Sequence, residues 1–152
     1  MRRHDKEITD RALIDTVIEE ARVCRLAVTE NNRPYIIPVC FGYDGTAIYI
    51  HGASEGTKIR ILEKNNAVCF EFEGECDIVE SNEACNWSIK YRSVVGFGEA
   101  SFITDVEEKR LALDVIKKHY TDRSFDYPDK AVMHTAVIRI EIEDLTGKQS
   151  GF

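Results

Sequence analysis

The stretch from Ile48 to Lys58, Ile-Tyr-Ile-His-Gly-Ala-Ser-Glu-Gly-Thr-Lys, sets the tightest limits on what this chain can fold into. A short apolar run breaks at two glycines and resumes in Ile59-Arg60-Ile61-Leu62, which reads as a strand feeding a turn feeding a helix. The first N–H groups of a helix lack intrahelical partners and the dipole is positive there, so an anion is stabilised at such a start. Gly52 and Gly56 carry no Cβ and let the backbone approach a bound group closely. A helix beginning near Ser54 would put Ser54 and Lys58 on one face, a hydroxyl beside an ammonium. Together these residues read as a phosphate cradle. The plainer reading fits them equally well: Ser54 as an N-cap, Lys58 as a solvated charge partnered by Glu55, and the glycines as turn formers. A P-loop is excluded, because only three residues separate Gly52 from Gly56 and Thr57 precedes Lys58.

The 152 residues suit one domain, 1–152, with a real core. A hydrophobic fraction of 43% and a charged fraction of 31% are those of a soluble globular chain, not of a disordered one. The net charge of −7 argues against nucleic acid or an anionic membrane as partner, although a local basic pocket remains open. No apolar run is long enough to span a bilayer, and Met1 to Lys6 leads into an acidic amphipathic segment rather than a signal peptide, so the expected location is the cytoplasm. The five cysteines form no Cys-x-x-Cys pair and have no His at zinc-ligand spacing, so no metal site is expected. Cys24, Cys40 and Cys69 sit in strand-like runs and read as small core residues; Cys76 and Cys85 lie in a more polar stretch.

In chain order, Asp10 is a candidate N-cap for a helix with Leu13, Ile14, Val17, Ile18 and Ala21 on one stripe. Val23 to Thr29 and Tyr35 to Tyr43 read as strands joined at Asn31-Asn32. Pro38 cannot donate to a ladder, which makes the second run an edge or bulged strand with backbone free to meet a ligand. Asp44-Gly45 is a hairpin turn into a third strand, Ala47 to Ile50. Ala67 to Phe72 is a fourth strand, and Glu73 to Ala84 reads as an acidic loop or lid. Ser93 to Ile103 is a fifth, with a bulge or close backbone approach at Gly96 and Gly98. Thr104-Asp105 opens a helix with Leu111, Ala112, Val115, Ile116 and Tyr120 on one face, and Ala136 to Glu143 alternates as a sixth strand. Early hairpins without β-α-β alternation predict a mainly β (α+β) antiparallel barrel of six strands with flanking helices.

These segments resemble a known family, the FMN-binding split barrels of the pyridoxamine 5'-phosphate oxidase type, and within it the nitroimidazole-resistance (Nim) branch. The resemblance rests on Met1 to Ile8, Ala21 to Ala27, Pro34 to Val39, Tyr49 to Ala53 through Gly56-Thr57-Lys58, and Ala84 to Trp87 through Tyr91 to Gly96. It covers most of the first hundred residues in order. It implies a homodimer with FMN at the subunit interface, each site built from both chains. Lys58 then corresponds to the lysine that meets the FMN phosphate, with Ser54 and Gly56 in the same turn. Ile50, His51 and Gly52 occupy the strand end that lines the flavin, Pro38 and Val39 the strand facing the ring edge, and Ser93 the place of a polar side chain from the second subunit. Trp87 and Tyr91 fall where they would wall a substrate pocket. The arginines that the oxidases use for phosphate and for pyridoxal are not evident, which argues against activity on pyridoxine phosphate.

The implied function is an FMN oxidoreductase passing electrons from NAD(P)H to a small acceptor such as a nitroimidazole or other nitroaromatic. In such proteins the cofactor carries the chemistry and the chain supplies position and charge. His51, at the flavin-side strand end, is the candidate catalytic residue, a proton or hydrogen-bond donor to substrate, with a structural histidine as its plain counterpart. Two alternatives stay open. One is a non-enzymatic flavin carrier or redox-sensing module; the other is a haem protein of the same fold, with His51 as an axial ligand.

Overall fold

The structure is a computed structural model that describes residues 3–152. Alternating runs fold into antiparallel strands in the order β1 (Glu7–Ile8), α1 (Arg11–Glu20), β2 (Cys24–Glu30), β3 (Arg33–Val39), β4 (Phe41–Tyr43), β5 (Ala47–Ala53), α2 (Thr57–Leu62), β6 (Ala67–Val79), β7 (Ser88–Ile103), α3 (Val106–Tyr120), α4 (Asp129–His134) and β8 (Thr135–Ser150). Short 3-10 turns at His4–Lys6 and Ala84–Asn86 complete the described chain. The strands form one sheet, β3-β2-β6-β7-β8-β5-β4, with β1 added to β8. The class is the expected one, a mainly β antiparallel sheet with four helices, but the sheet has eight strands rather than six and does not close.

Two causes account for the difference in count. The run expected as one strand from Tyr35 to Tyr43 is two, divided at Cys40, so that β3 pairs with β2 while β4 pairs with β5 at the other end of the sheet. Glu7–Ile8 also pairs, opposite Lys148 and Gly147. The stretch from Glu73 to Ala84, read as an acidic loop or lid, is largely strand. β6 continues through a bulge between Glu73 and Cys76 to Val79, where it lies opposite Ser88. Acidic side chains are tolerated there because this arm projects past the barrel and wets both faces.

Local chemistry sets the turns. Asn31 and Asn32 both take positive φ, 52° and 59°, as a two-residue hairpin between right-twisted strands requires. Pro38 sits opposite Arg25 on β3, which has a partner on one side only, so its missing N–H disrupts no inner ladder. Asp10 caps α1 by accepting from Ala12 N at 3.0 Å, and Asp105 caps α3 by accepting from Glu108 N at 2.9 Å.

The main core fills the sheet's inner face. Phe41, Phe70, Phe72, Leu26, Ile48, Ile50, Ile138 and Ile140 are wholly buried, and α1 covers one side with Ile14, Val17 and Ile18. Each such side chain contributes roughly 1.5–3 kcal/mol by leaving water. A smaller cluster lies outside the barrel, where α3 and α4 bury Ala112, Ile116 and Val132 against Val137 of β8. α3 approaches β4 so closely at Gly42 that a Cβ there would lie 2.6 Å from the Ile116 backbone nitrogen. Leu111, expected on the buried face of this helix, is 68% exposed. Cys24 is buried as expected, whereas Cys40 is exposed in the break between β3 and β4 and Cys69 is half-buried on the sheet's outer face. All five cysteines are free.

Candidate functional site

The end of β5 positions the site residues. Ile50 pairs with Phe41 of β4 on one side and Ile138 of β8 on the other, and β4 goes no further, so the ladder to β4 stops before His51 and Gly52. Alternation sends Ile50 into the core and leaves the His51 side chain exposed on the outer face. Pro38 and Val39 close β3 just before Cys40 and Phe41, which brings them to the same corner.

The helix does not begin where the sequence suggested. α2 spans only Thr57–Leu62, its N-cap is Gly56 with φ 125°, and no side chain caps it. Ser54 is therefore neither the N-cap nor one turn before Lys58 on a helix face. Gly56 is the residue that the turn requires, since its backbone conformation strains any L side chain. The positive charge of the corner comes from Lys58. Its ammonium folds back over the strand end, and a Cβ on Gly52 would lie 3.1 Å from Nζ. The absent side chain at Gly52 is what gives the lysine this place. Among the described residues Lys58 has neither a carboxylate nor a hydrogen-bond partner, unlike Arg60, which pairs with Glu30. The Glu55 partner of the plain reading is not formed.

Burial lowers the Lys58 pKa, the direction expected for a cation without a counter-charge. His51 is lowered from its ordinary 6.5, first by desolvation and then by the Lys58 charge, so it is neutral at neutral pH. The corner therefore offers an uncompensated cation, a neutral imidazole and open strand-edge backbone within a few residues.

Ser93, Tyr91 and Trp87 form a second group. Tyr91 pairs with Ser150 and Ser93 with Lys148, whereas His51 sits in the row of Val137 and Ile103. From Tyr91 to Ile103 the strand runs roughly 40 Å at about 3.3 Å per residue. The two groups occupy opposite ends of β7 and are not brought together within one chain. Trp87 is 52% exposed and donates from Nε1 to Ser81 O at 2.7 Å. Ser54 lines a shallow cavity of about 270 Å³ beside α4.

The sequence did not reveal a cleft of about 430 Å³ between α3 and the outer sheet face, with Tyr49 and Arg139 on its floor. Its signal was present only as an outward tyrosine and arginine in separate strands, which register alone brings side by side. Among the described residues no helix is long and apolar enough to cross a membrane, and no His, Cys, Asp and Glu group is arranged to hold a metal ion.

Comparison with known proteins fits this architecture. A solved structure described as a candidate 5-nitroimidazole antibiotic resistance protein from Bacteroides thetaiotaomicron is 37% identical to this chain, covers 93% of it and 85% of its own length, and superposes with a TM-score of 0.85. A flavocytochrome from Azotobacter vinelandii, 22% identical over 100% of this chain and 72% of its own, shares the fold at a TM-score of 0.87. So does a protein from Mycobacterium smegmatis described as FAD and heme binding, 22% identical over 97% of this chain and 74% of its own, at 0.87. No curated protein matches the chain. The family model for pyridoxamine 5'-phosphate oxidase matches residues 10–149, nearly the whole described fold, and the chain belongs to that family.

Proposed function

We propose that this protein binds FMN at the β5–α2 corner and passes electrons from NADH or NADPH to a small acceptor such as a nitroaromatic. The observation that carries the reading is the Lys58 ammonium, unpaired among the described residues and seated where Gly52 has no side chain. A partly desolvated cation without a counter-ion is stabilised by an anion, and a phosphate monoester supplies one. The kinship with a 5-nitroimidazole resistance protein supports the acceptor class.

Lys58 would hold the phosphate, with the open backbone of Gly52 and the turn at Gly56 giving room for it. Pro38 and Val39 would border the ring, with Ile50 offering only backbone because its side chain lies in the core, and a bound flavin would supply the redox centre. His51, neutral and exposed beside this corner, would present an imidazole N–H to an acceptor oxygen and exchange its proton with water. Ser93, Tyr91 and Trp87 lie too far along β7 to join this corner in the same chain, so their contribution implies a second copy and hence a homodimer with the site between subunits.

An absorption spectrum of the purified protein, followed by anaerobic NADPH or NADH, tests the reading. Flavin bands that bleach, and that recover on adding a nitroaromatic, are the expected result. Flavin bands that stay unchanged would indicate a carrier or sensing module. A Soret band in place of flavin would favour haem, the reading suggested by the heme-binding relatives of the same fold.

A further inference from the structure

The cleft under α3 has the makings of a second binding site, independent of the flavin reading. Its floor is one row of the sheet: Tyr49 of β5 pairs with Arg139 of β8, and Arg139 pairs with Ser101 of β7. The next outward position of β8, Val137, is wholly buried beneath the α3–α4 cluster. At Arg139 the cover is missing, and an open space of about 430 Å³ remains between the sheet and the helix. That volume lies within the range of roughly 300–1,000 Å³ typical of small-molecule sites.

The lining is divided by polarity. Leu111 and Val115 from one face of α3, together with Ile103 at the end of β7, make an apolar wall. Leu111 is 68% exposed, so a large apolar side chain stands wet at the cleft. On the floor, the Tyr49 hydroxyl donates to Asp44 Oδ2 at 2.9 Å and is thereby oriented. Arg139 is paired with Glu141 and lies beside Tyr49 in the register. A guanidinium has five N–H donors, and this pairing leaves some of them for a further acceptor. The other charged group of the lining, Glu108 on the first turn of α3, opposes a ligand carrying a second negative charge.

We propose that this cleft binds a small apolar monocarboxylate, its hydrocarbon body against Leu111, Val115 and Ile103 and its carboxylate on Arg139 with the Ser101 hydroxyl nearby. A single carboxylate on a rigid apolar body matches the unused N–H donors of a guanidinium shared with Glu141, an apolar wall and an acidic rim that opposes further negative charge. A dianion or a neutral molecule does not.

Calorimetric titration of the full-length protein with 1-naphthoate, and with neutral 1-naphthalenemethanol as comparator, tests this. Naphthoate binds once per chain and at least about tenfold more tightly than the alcohol, since a bidentate Arg–carboxylate contact is lost in the latter. Arg139→Gln abolishes that preference, Arg139→Lys retains part of it, and Leu111→Glu weakens both ligands. Lys58→Ala changes neither, which separates this site from the flavin corner. Equal binding of the two ligands, a preference that survives Arg139→Gln with the melting temperature unchanged, or no binding at millimolar naphthoate would each overturn the proposal.

Discussion

At the scale of single residues, Lys58 and His51 make separable claims. If the Lys58 ammonium meets a phosphate, Lys58→Ala raises the FMN dissociation constant by about tenfold or more, about 1.4 kcal/mol, while riboflavin, lacking the phosphate, changes little. Titrating apo-protein with both flavins checks this, and equal weakening of the two would place the phosphate elsewhere. His51→Gln keeps FMN bound and lowers turnover with a nitroaromatic by about a hundredfold, the usual cost of removing a positioned acid–base group. An unchanged rate would make His51 structural. Its pKa adds a second readout. The folded value lies below the ordinary 6.5, so between the two values the unfolded chain binds more protons and stability falls as pH drops through that window. His51→Gln removes this part of the acid sensitivity, which a comparison of melting temperatures at pH 7.5 and 5.5 detects. The sequence made these two residues visible because a lysine and a histidine flank glycines at a strand end. It could not show that Lys58 reaches back over Gly52 or that Ser54 drops out, since both follow from a helix that starts at Thr57 rather than Ser54.

At the scale of elements, α3 is the piece most tightly fitted to the barrel. Gly42 lets its backbone touch β4, His119 Nε2 lies 2.7 Å from Ala21 O, and the Tyr120 hydroxyl accepts from Phe41 N at 3.0 Å while donating to Arg22 O at 3.1 Å. The neighbour of a Gly42 Cβ is main chain and cannot rotate away, so Gly42→Ala must push the helix off the strand. The expected cost is about 1–3 kcal/mol, as for an overpacked core, read from urea unfolding; a loss below about 0.5 kcal/mol would mean that α3 docks loosely. Periodicity and caps made α1, α3 and the hairpin turns legible, because one side chain or one φ decides each of them. Strand lengths were not legible. Glu73 to Val79 looks like a loop by composition yet pairs with Ser88 to Ser93, since a ladder asks for backbone partners and tolerates acidic side chains where both faces are wet. The division of the Tyr35–Tyr43 run was equally hidden, because an edge strand and its successor read alike until the sheet order is known.

At the scale of the whole molecule, the outer sheet face bears on assembly. One register row runs Ile36, Ala27, Cys69, Phe97 across β3, β2, β6 and β7, and the neighbouring row ends in Val95. Ile36 is 64% and Phe97 52% exposed, which leaves a cross-strand apolar band unburied in the single chain. A symmetric copy would bury such a band, because an isologous contact would set Ile36 and Phe97 of one subunit against the same patch of the other. It would also carry the Ser93 and Tyr91 end of one chain towards the Lys58 corner of another, which the opposite placement of the two groups along β7 demands for a shared site. Phe97→Glu places a charge in the middle of the row and leaves the inner core untouched, since Phe97 faces outward between the glycines Gly96 and Gly98. The expected outcome by light scattering is a parental dimer and a variant monomer of 17.3 kDa per chain. The variant monomer, holding half of each site, loses FMN although Lys58 is intact. A parental protein that is monomeric and still retains FMN would show that one chain suffices, and would assign the apolar band to some other contact.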